Sequence, residues 1–244
     1  MSPEPHSSTF PAPSTVVLAG ARSASSPELP SAPPKLRESL LVTVISVAAM
    51  VGLYSGLDAR NTRLLAAGET LFTPLTPLDA AIPLFVPFVW IYYTYFPLTL
   101  SLHVVTHARR EWLYEALSGY LLLAVTGFCF FALVPSQMPQ PSLAACASAD
   151  CRALDLMYRS DDGFHAFPSM HVAYSVYVAL FFRDHAPKKA WLPTLLALGI
   201  AASTLLCKRH FVVDVPVGAL LAFAARPIAR RVRGATARVF RFAA

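Results

Sequence analysis

Six apolar runs, each close to the length of a membrane-crossing helix, dominate this sequence and leave few folds open to it. A helix needs about 20 apolar residues to cross the hydrocarbon core, where no water is present to satisfy backbone polar groups. The runs are Ser39 to Leu57, Ala80 to about Val105, Trp112 to Val134, Pro168 to Phe182, Ala190 to Leu206 and Phe211 to Ala225. The second is rich in aromatics and interrupted by Pro83, Pro87 and Pro97, and the fourth and sixth are short. Composition agrees: 55% of the residues are hydrophobic and 14% charged, whereas soluble domains carry roughly a quarter charged residues. The expected fold is all-α, an integral membrane bundle of six transmembrane helices with both termini cytoplasmic.

Three stretches follow along the chain. Residues 1–36 are rich in Pro and Ser. They hold too little apolar surface to offset the entropy of ordering, and so are expected to be disordered. They also lack the basic start and apolar stretch of a signal peptide. Residues 37–225 hold the six spans. Residues 226–244 form a basic cytoplasmic tail with Arg226, Arg230, Arg231, Arg233, Arg238 and Arg241. Such a tail suits anionic headgroups; no recognition motif points to nucleic acid, and no nucleic-acid partner is expected.

Basic residues set the orientation. With the N-terminus inside, the inner segments hold Lys35, Arg37, Arg109, Arg110, Arg183, Lys188, Lys189 and the tail arginines. The outer ones hold only Arg60, Arg63, Arg152, Arg159, Lys208 and Arg209. The loop from Pro135 to Phe167, with Asp150, Asp155, Asp161 and Asp162, then faces outward. Ala-, Leu- and Arg-rich usage points to a bacterial inner membrane. Cys146 and Cys151 share this loop, and a disulfide or two free thiols are both open. Oligomeric state is not legible.

Two strings carry chemistry. One is Phe167-Pro168-Ser169-Met170-His171 at the start of the fourth run; the other is Lys208-Arg209-His210-Phe211-Val212-Val213-Asp214 at the start of the sixth. Two spans of about 20 residues separate the histidines, so both fall at one face and near one depth. Ionisable groups at membrane depth are costly and mark function by default. His210 and Asp214, spaced i, i+4, share a helix face. The carboxylate can orient one imidazole nitrogen and leave the other free to attack. His171 can give a proton to a leaving oxygen. Ser169 and the free N–H groups of a helix start, with Lys208 and Arg209 on the same rim, suit a phosphate.

Other readings use the same residues differently. Two histidines in spans could ligate haem, or a metal with Asp214 as a third ligand. The chain could also be a scaffold or transporter. His103, His107 and His185 read as structural.

On these strings the chain resembles the type 2 phosphatidic acid phosphatase superfamily, which pairs Pro-Ser-x-His with Ser-Arg-x5-His-x3-Asp. Pro168, Ser169 and His171 match the first, and Ser203, His210 and Asp214 match the second at its spacing. It is most similar to the branch with the inositol phosphorylceramide synthases, through Phe167, Lys208, Val215 and the stretch from Asp79 to Tyr92. The resemblance implies a six-span bundle, with no metal and no cofactor. It makes His210 the nucleophile of a phosphohistidine intermediate, Asp214 its orienting group, His171 the proton donor and Ser169 a phosphate contact. The substrate would be a phospholipid or lipid phosphate, with a lipid or polyol alcohol as a possible acceptor, and the active site would open on the extracytoplasmic face. Two departures stand out. Thr204 replaces the motif arginine, and Gln140 stands where a relative would often show arginine. Lys208 first and Arg209 second are the cations left to hold phosphate.

Overall fold

The computed structural model describes residues 36–144 and 146–241. The segment 1–35, read above as disordered, lies outside the described residues. Among those described, the regular elements are helices, and the only β pairings are the isolated bridges Phe72–Ser136 and Gln137–Phe164. The helices are α1 (Leu36–Ala66), α2 (Pro77–Ala81), α3 (Val89–Tyr93), α4 (Tyr95–Thr106), α5 (Arg110–Leu133), α6 (Ala149–Ser160), α7 (Met170–His185), α8 (Trp191–Leu206) and α9 (Asp214–Arg241).

The third, fourth and fifth apolar runs match α5, α7 and α8 to within a few residues. The first run underestimates α1, which continues to Ala66. The second is not one helix. It breaks into α2, a 3-10 turn at Val86–Phe88, α3 and α4. Pro83 and Pro87 account for the break, since each removes a ladder donor and pushes the preceding residue out of the helical region. The loop from Pro135 to Phe167 contains α6, which the apolar pattern does not announce. Ser148 caps α6 by accepting a hydrogen bond from Cys151 N–H, and Cys146 and Cys151 form a disulfide at its start. The sixth run continues past Ala225 as α9 to Arg241, with Pro227 inside it.

The helix α7 is the axis of the bundle. Its residues Val172, Tyr177, Val178 and Phe181 are almost fully buried, against α4, α5, α8 and α9. Helices α5 and α7 run antiparallel: Met170 lies against Gly127, and Tyr177 lies over Gly119 with its hydroxyl donating to Glu115 O at 3.0 Å. A side chain at Gly119 would collide with the Tyr177 ring. The first half of α9 runs parallel to α7, from Gly218 against the Ser169 carbonyl to Arg226, whose Nε donates to Asp184 Oδ2 at 3.0 Å.

The two ends of α7 differ. His171 opens it, and His185 closes it about 21 Å away at 1.5 Å per residue. At the far end Glu115 and Asp184 face Arg226, Arg230, Arg233 and His185 in an ionic cluster, of which Glu115 and Arg226 are buried. A straight α9 would carry Thr236 about 15 Å past Arg226. Thr236 instead accepts from Ser118 Oγ at 2.8 Å, and Ala237 packs on Tyr114 and Leu117. The helix therefore bends, and Pro227 removes a ladder hydrogen bond where it does so. The basic stretch read as a tail is thus, through Arg238, a helix laid against α5.

Among the described residues, one helix, Arg110–Leu133, is long and apolar enough to cross a membrane, and Trp191–Leu206 is a shorter apolar one. Large apolar side chains lie exposed on several helices, including Val125, Leu133, Trp191, Leu198 and Leu220.

Candidate active site

The site forms where the starts of α7 and α9 meet the chain between α8 and α9. That connector turns sharply. Lys208 adopts φ +50°, and the N–H groups of Arg209 and His210 both return to Thr204 O, at 2.9 and 3.2 Å. This is the left-handed exit common at helix C-termini. It brings His210 back over the α8 end rather than onward. Asp214 Oδ2 accepts from Phe211 N–H at 2.8 Å, which closes the connector onto α9.

The two histidines touch. His171 Nδ1 lies 3.3 Å from His210 Nε2. His210 Nδ1 is 2.7 Å from Ala166 O and 3.2 Å from Asp214 Oδ2. Both oxygens only accept, so Nδ1 of His210 carries its proton and Nε2 presents a lone pair. His171 must then donate from Nδ1, and its Nε2 accepts from Tyr92 Oη at 2.7 Å. A continuous chain of donors runs Tyr92, His171, His210, Asp214. Tautomers follow from such partners. His210 is 5% exposed and Asp214 fully buried.

The other residues singled out by the sequence have these positions. Ser169, fully buried, caps α7: its Oγ accepts from Val172 N–H at 3.4 Å, and its own N–H reaches Asp214 O at 3.3 Å. Lys208 Nζ donates to Asp79 O at 2.7 Å and Ile82 O at 2.5 Å, fastening the connector to the α2 turn. Arg209 is 4% exposed and pairs with Asp161 through both Nη atoms, onto the carboxylate and, at 3.0 Å, onto the backbone carbonyl. Its guanidinium also lies over the Tyr158 ring, 5.8 Å from the centroid.

Several further residues here lie outside the two catalytic strings. Tyr92 and Tyr95 flank the His171 ring, with centroids at 4.7 and 4.6 Å. Asp79 accepts from Val212 N–H at 2.7 Å and from Thr76, holding the connector from the other side. Burial works against ionisation of Asp79, but hydrogen bonds from Thr76 and Val212 outweigh it and hold its carboxyl below the ordinary range. The His165 ring packs edge-on against Tyr54 of α1, with centroids 4.7 Å apart, in the loop whose Ala166 carbonyl holds His210. Gln140 Nε2 donates to Asp161 O at 2.7 Å. Asp79 and Tyr92 lie in the stretch that carried the resemblance, and Gln140 stands where a relative would often show arginine; for Tyr95, Asp161 and His165 only the aromatic density around residues 90–96 and the acid-rich loop gave a hint.

Charge balance follows the same lines. Burial on its own would raise the Asp161 pKa; the Arg209 charge and hydrogen bonds overcome it and keep the carboxyl below its usual value. Arg209 in turn is disfavoured by burial, yet Asp161 holds its pKa above the ordinary one. The pair is therefore ionised. Tyr54 Oη donates to Asp161 Oδ2 at 3.3 Å. Asp161, His171, Tyr92 and Tyr54 all line one cavity of about 330 Å³, whose remaining walls are mostly aromatic and apolar side chains of α1, α3, α4, α5, α6 and α7, with Ser55 and Ser160 among them. Among the described residues no three His, Cys, Asp or Glu side chains converge as a metal-ligand set.

An oriented imidazole lone pair, a proton-bearing imidazole facing it and a buried guanidinium beside them form a set suited to moving a phosphoryl group. Neither a curated protein nor a solved structure gives a significant match to the chain. The sequence profile of the PAP2 superfamily, however, matches residues 64–228, well over half of the chain and including Ser169, His171, Lys208, Arg209, His210 and Asp214. Both motif strings that carry the paired histidines lie within that match, and the chain belongs to the PAP2 superfamily, whose membership assigns it phosphatase-type chemistry on phosphate-bearing substrates.

Proposed function

We propose that the protein is a membrane phosphotransferase or phosphatase acting on a phospholipid or lipid phosphate through a phosphohistidine on His210. The observation that carries this reading is the 3.3 Å approach of His171 Nδ1 to His210 Nε2, with Asp214 behind His210. With substrate bound, His171 carries a second proton, on Nε2, taken from solvent; His210 Nε2 attacks phosphorus, the bond to the leaving oxygen breaks, and that oxygen takes the Nδ1 proton of this imidazolium, leaving His171 neutral. In the second half His171 accepts the proton of an incoming hydroxyl as its oxygen attacks phosphorus, and the P–N bond breaks. Atoms and charges balance without a cofactor.

Arg209 is the better cation for the phosphoryl oxygens. It pairs with Asp161 and lies beside Tyr92, two residues that line the cavity together with His171, whereas Lys208 spends its ammonium on two carbonyls. The apolar and aromatic walls of that cavity favour a substrate with a hydrocarbon portion. An alcohol acceptor, as in the inositol phosphorylceramide synthase-like branch, is compatible with the same cavity: the Tyr54 and Tyr92 oxygens, whose protons go to Asp161 and His171, can accept from a polyol hydroxyl.

The same reading makes the protein a six-span bundle with both termini cytoplasmic and the histidines toward the extracytoplasmic side of a bacterial inner membrane. The roughly 21 Å between His171 and His185 is less than the ~30 Å hydrocarbon thickness. The histidine site or the ionic cluster at the other end then lies below the interface, shielded by the bundle.

Purified protein in detergent micelles tests the chemistry. Phosphate release without an acceptor means hydrolysis; dependence on an added alcohol means transfer. His210→Ala must abolish both, and turnover that survives this substitution removes the proposed nucleophile.

A further inference from the structure

We propose that the Arg209 guanidinium is an oxyanion seat which the Asp161 carboxylate fills in the resting protein and yields to the phosphoryl group of the substrate. The proposal rests on the phosphoryl-transfer reading above and adds a residue to which no motif assigns a role.

A guanidinium whose side chain is 3% exposed needs an anion, because an unpaired buried charge is strongly destabilising. Asp161 supplies it. The planar fork of arginine that matches a carboxylate also matches a phosphoryl group. Arg209 Nε is buried without a partner among the described residues, so the fork has a donor to spare.

The seat belongs to the histidine site. Asp161 and His171 line the same cavity, and the Tyr92 hydroxyl that meets His171 Nε2 at 2.7 Å also lies beside Arg209. A carboxylate left in place would repel an arriving phosphate, so the two anions compete. Asp161 is built to give way. Its backbone carbonyl is held by Gln140 Nε2 at 2.7 Å and Arg209 Nη1 at 3.0 Å, so the backbone can stay while the side chain turns. Gly163 N–H, 3.0 Å from Oδ1, gives the carboxylate a partner on the loop side.

The nucleophile is covered in the same manner. The His210 Nε2 lone pair faces His171 Nδ1, where phosphorus must enter. Both positions a phosphoryl group needs are thus held by internal stand-ins. The rival is a fixed Asp161 that only positions Arg209, and the two predict opposite signs.

The test is orthovanadate inhibition of the purified full chain, for wild type, Asp161→Asn and Asp161→Ser. Removing the competing charge should lower the inhibition constant about ten-fold in both variants. In an Arg209→Lys background the same substitutions should tighten vanadate far less, because the seat itself is altered. Unchanged or weaker inhibition in both variants overturns the proposal and makes Asp161 a fixed partner. Failure of both variants to fold overturns it too, since a replaceable anion is not required by the fold. If wild type neither turns over a phosphate ester nor binds vanadate, the phosphoryl-transfer reading falls and takes this one with it. If wild type binds vanadate and the variants do not tighten, only the stand-in falls.

Discussion

His171 Nδ1 and His210 Nε2 face each other at 3.3 Å, although 39 residues of chain separate them. Helices α7 and α8 account for that separation by running out and back, and the connector after α8 returns His210 to the end from which α7 set out. The lone pair of one ring meets the proton of the other. A phosphoryl group must part them, and both then face it with the atoms the reaction needs.

Asp214→Asn should keep the geometry and lose the chemistry. An amide can still accept from Phe211 N–H, but its carbonyl no longer favours the proton on His210 Nδ1 as a carboxylate does. We expect kcat on a phosphate ester to fall by about 10²–10⁴ with KM little changed. Steady-state kinetics on the two proteins check this, and an unchanged kcat removes the orienting role.

Tyr92→Phe deletes the hydroxyl at the head of the donor chain. The ring remains beside His171, and only the 2.7 Å hydrogen bond goes. One hydrogen bond of this kind is worth about 1 kcal/mol. The expected loss is about five- to ten-fold in kcat, with the thermal midpoint nearly unchanged. A drop as deep as that of His210→Ala would instead give Tyr92 a direct part in the chemistry.

Gly218→Ala probes the closest approach of α9 to α7. An added Cβ would lie inside contact distance of the Ser169 carbonyl, a backbone atom that cannot step aside. Overpacking of this kind costs about 1–3 kcal/mol. It should also loosen the Ser169–Asp214 backbone contact and so lower activity. Thermal unfolding in detergent micelles measures the first effect and turnover the second.

Arg226→Met tests the ionic cluster at the opposite end. Arg226 is 4% exposed and meets Glu115, Asp184 and the face of Phe181, 4.9 Å from its centroid. Its removal leaves Glu115 buried with fewer partners, a loss of about 3–5 kcal/mol. The double variant with Glu115→Gln should recover part of it. No recovery would mean that packing, not charge, holds α9 to α5.

Acid should erase the stability advantage of wild type over Asp161→Asn. The Asp161 carboxyl is held below its usual value in the folded protein, so its contribution is complete above the unfolded carboxylate pKa, about 4. It is lost as pH falls through the lower folded value. The gap between the two unfolding midpoints should be constant from neutral pH to about pH 5 and should close in stronger acid. A gap that closes near pH 7 contradicts an ionised pair.

The sequence by itself determined the helical class, the apolar helices α5, α7 and α8, and the pairing of His171 and His210 with Asp214. These follow from local rules: apolar length, helix periodicity and the arithmetic of an out-and-back pair of helices. Only the tertiary structure decided what surrounds them. Lys208 and Arg209 are adjacent and alike in charge, yet one fastens Asp79 and Ile82 and the other pairs with Asp161. Tyr92, Asp161 and Glu115 reach their partners across 79, 48 and 111 positions of the chain. The bend of α9 at Pro227 likewise depends on where α5 stands. Composition and spacing are local quantities, whereas the partner of a buried charge is set by which helices meet, and no local pattern encodes that meeting.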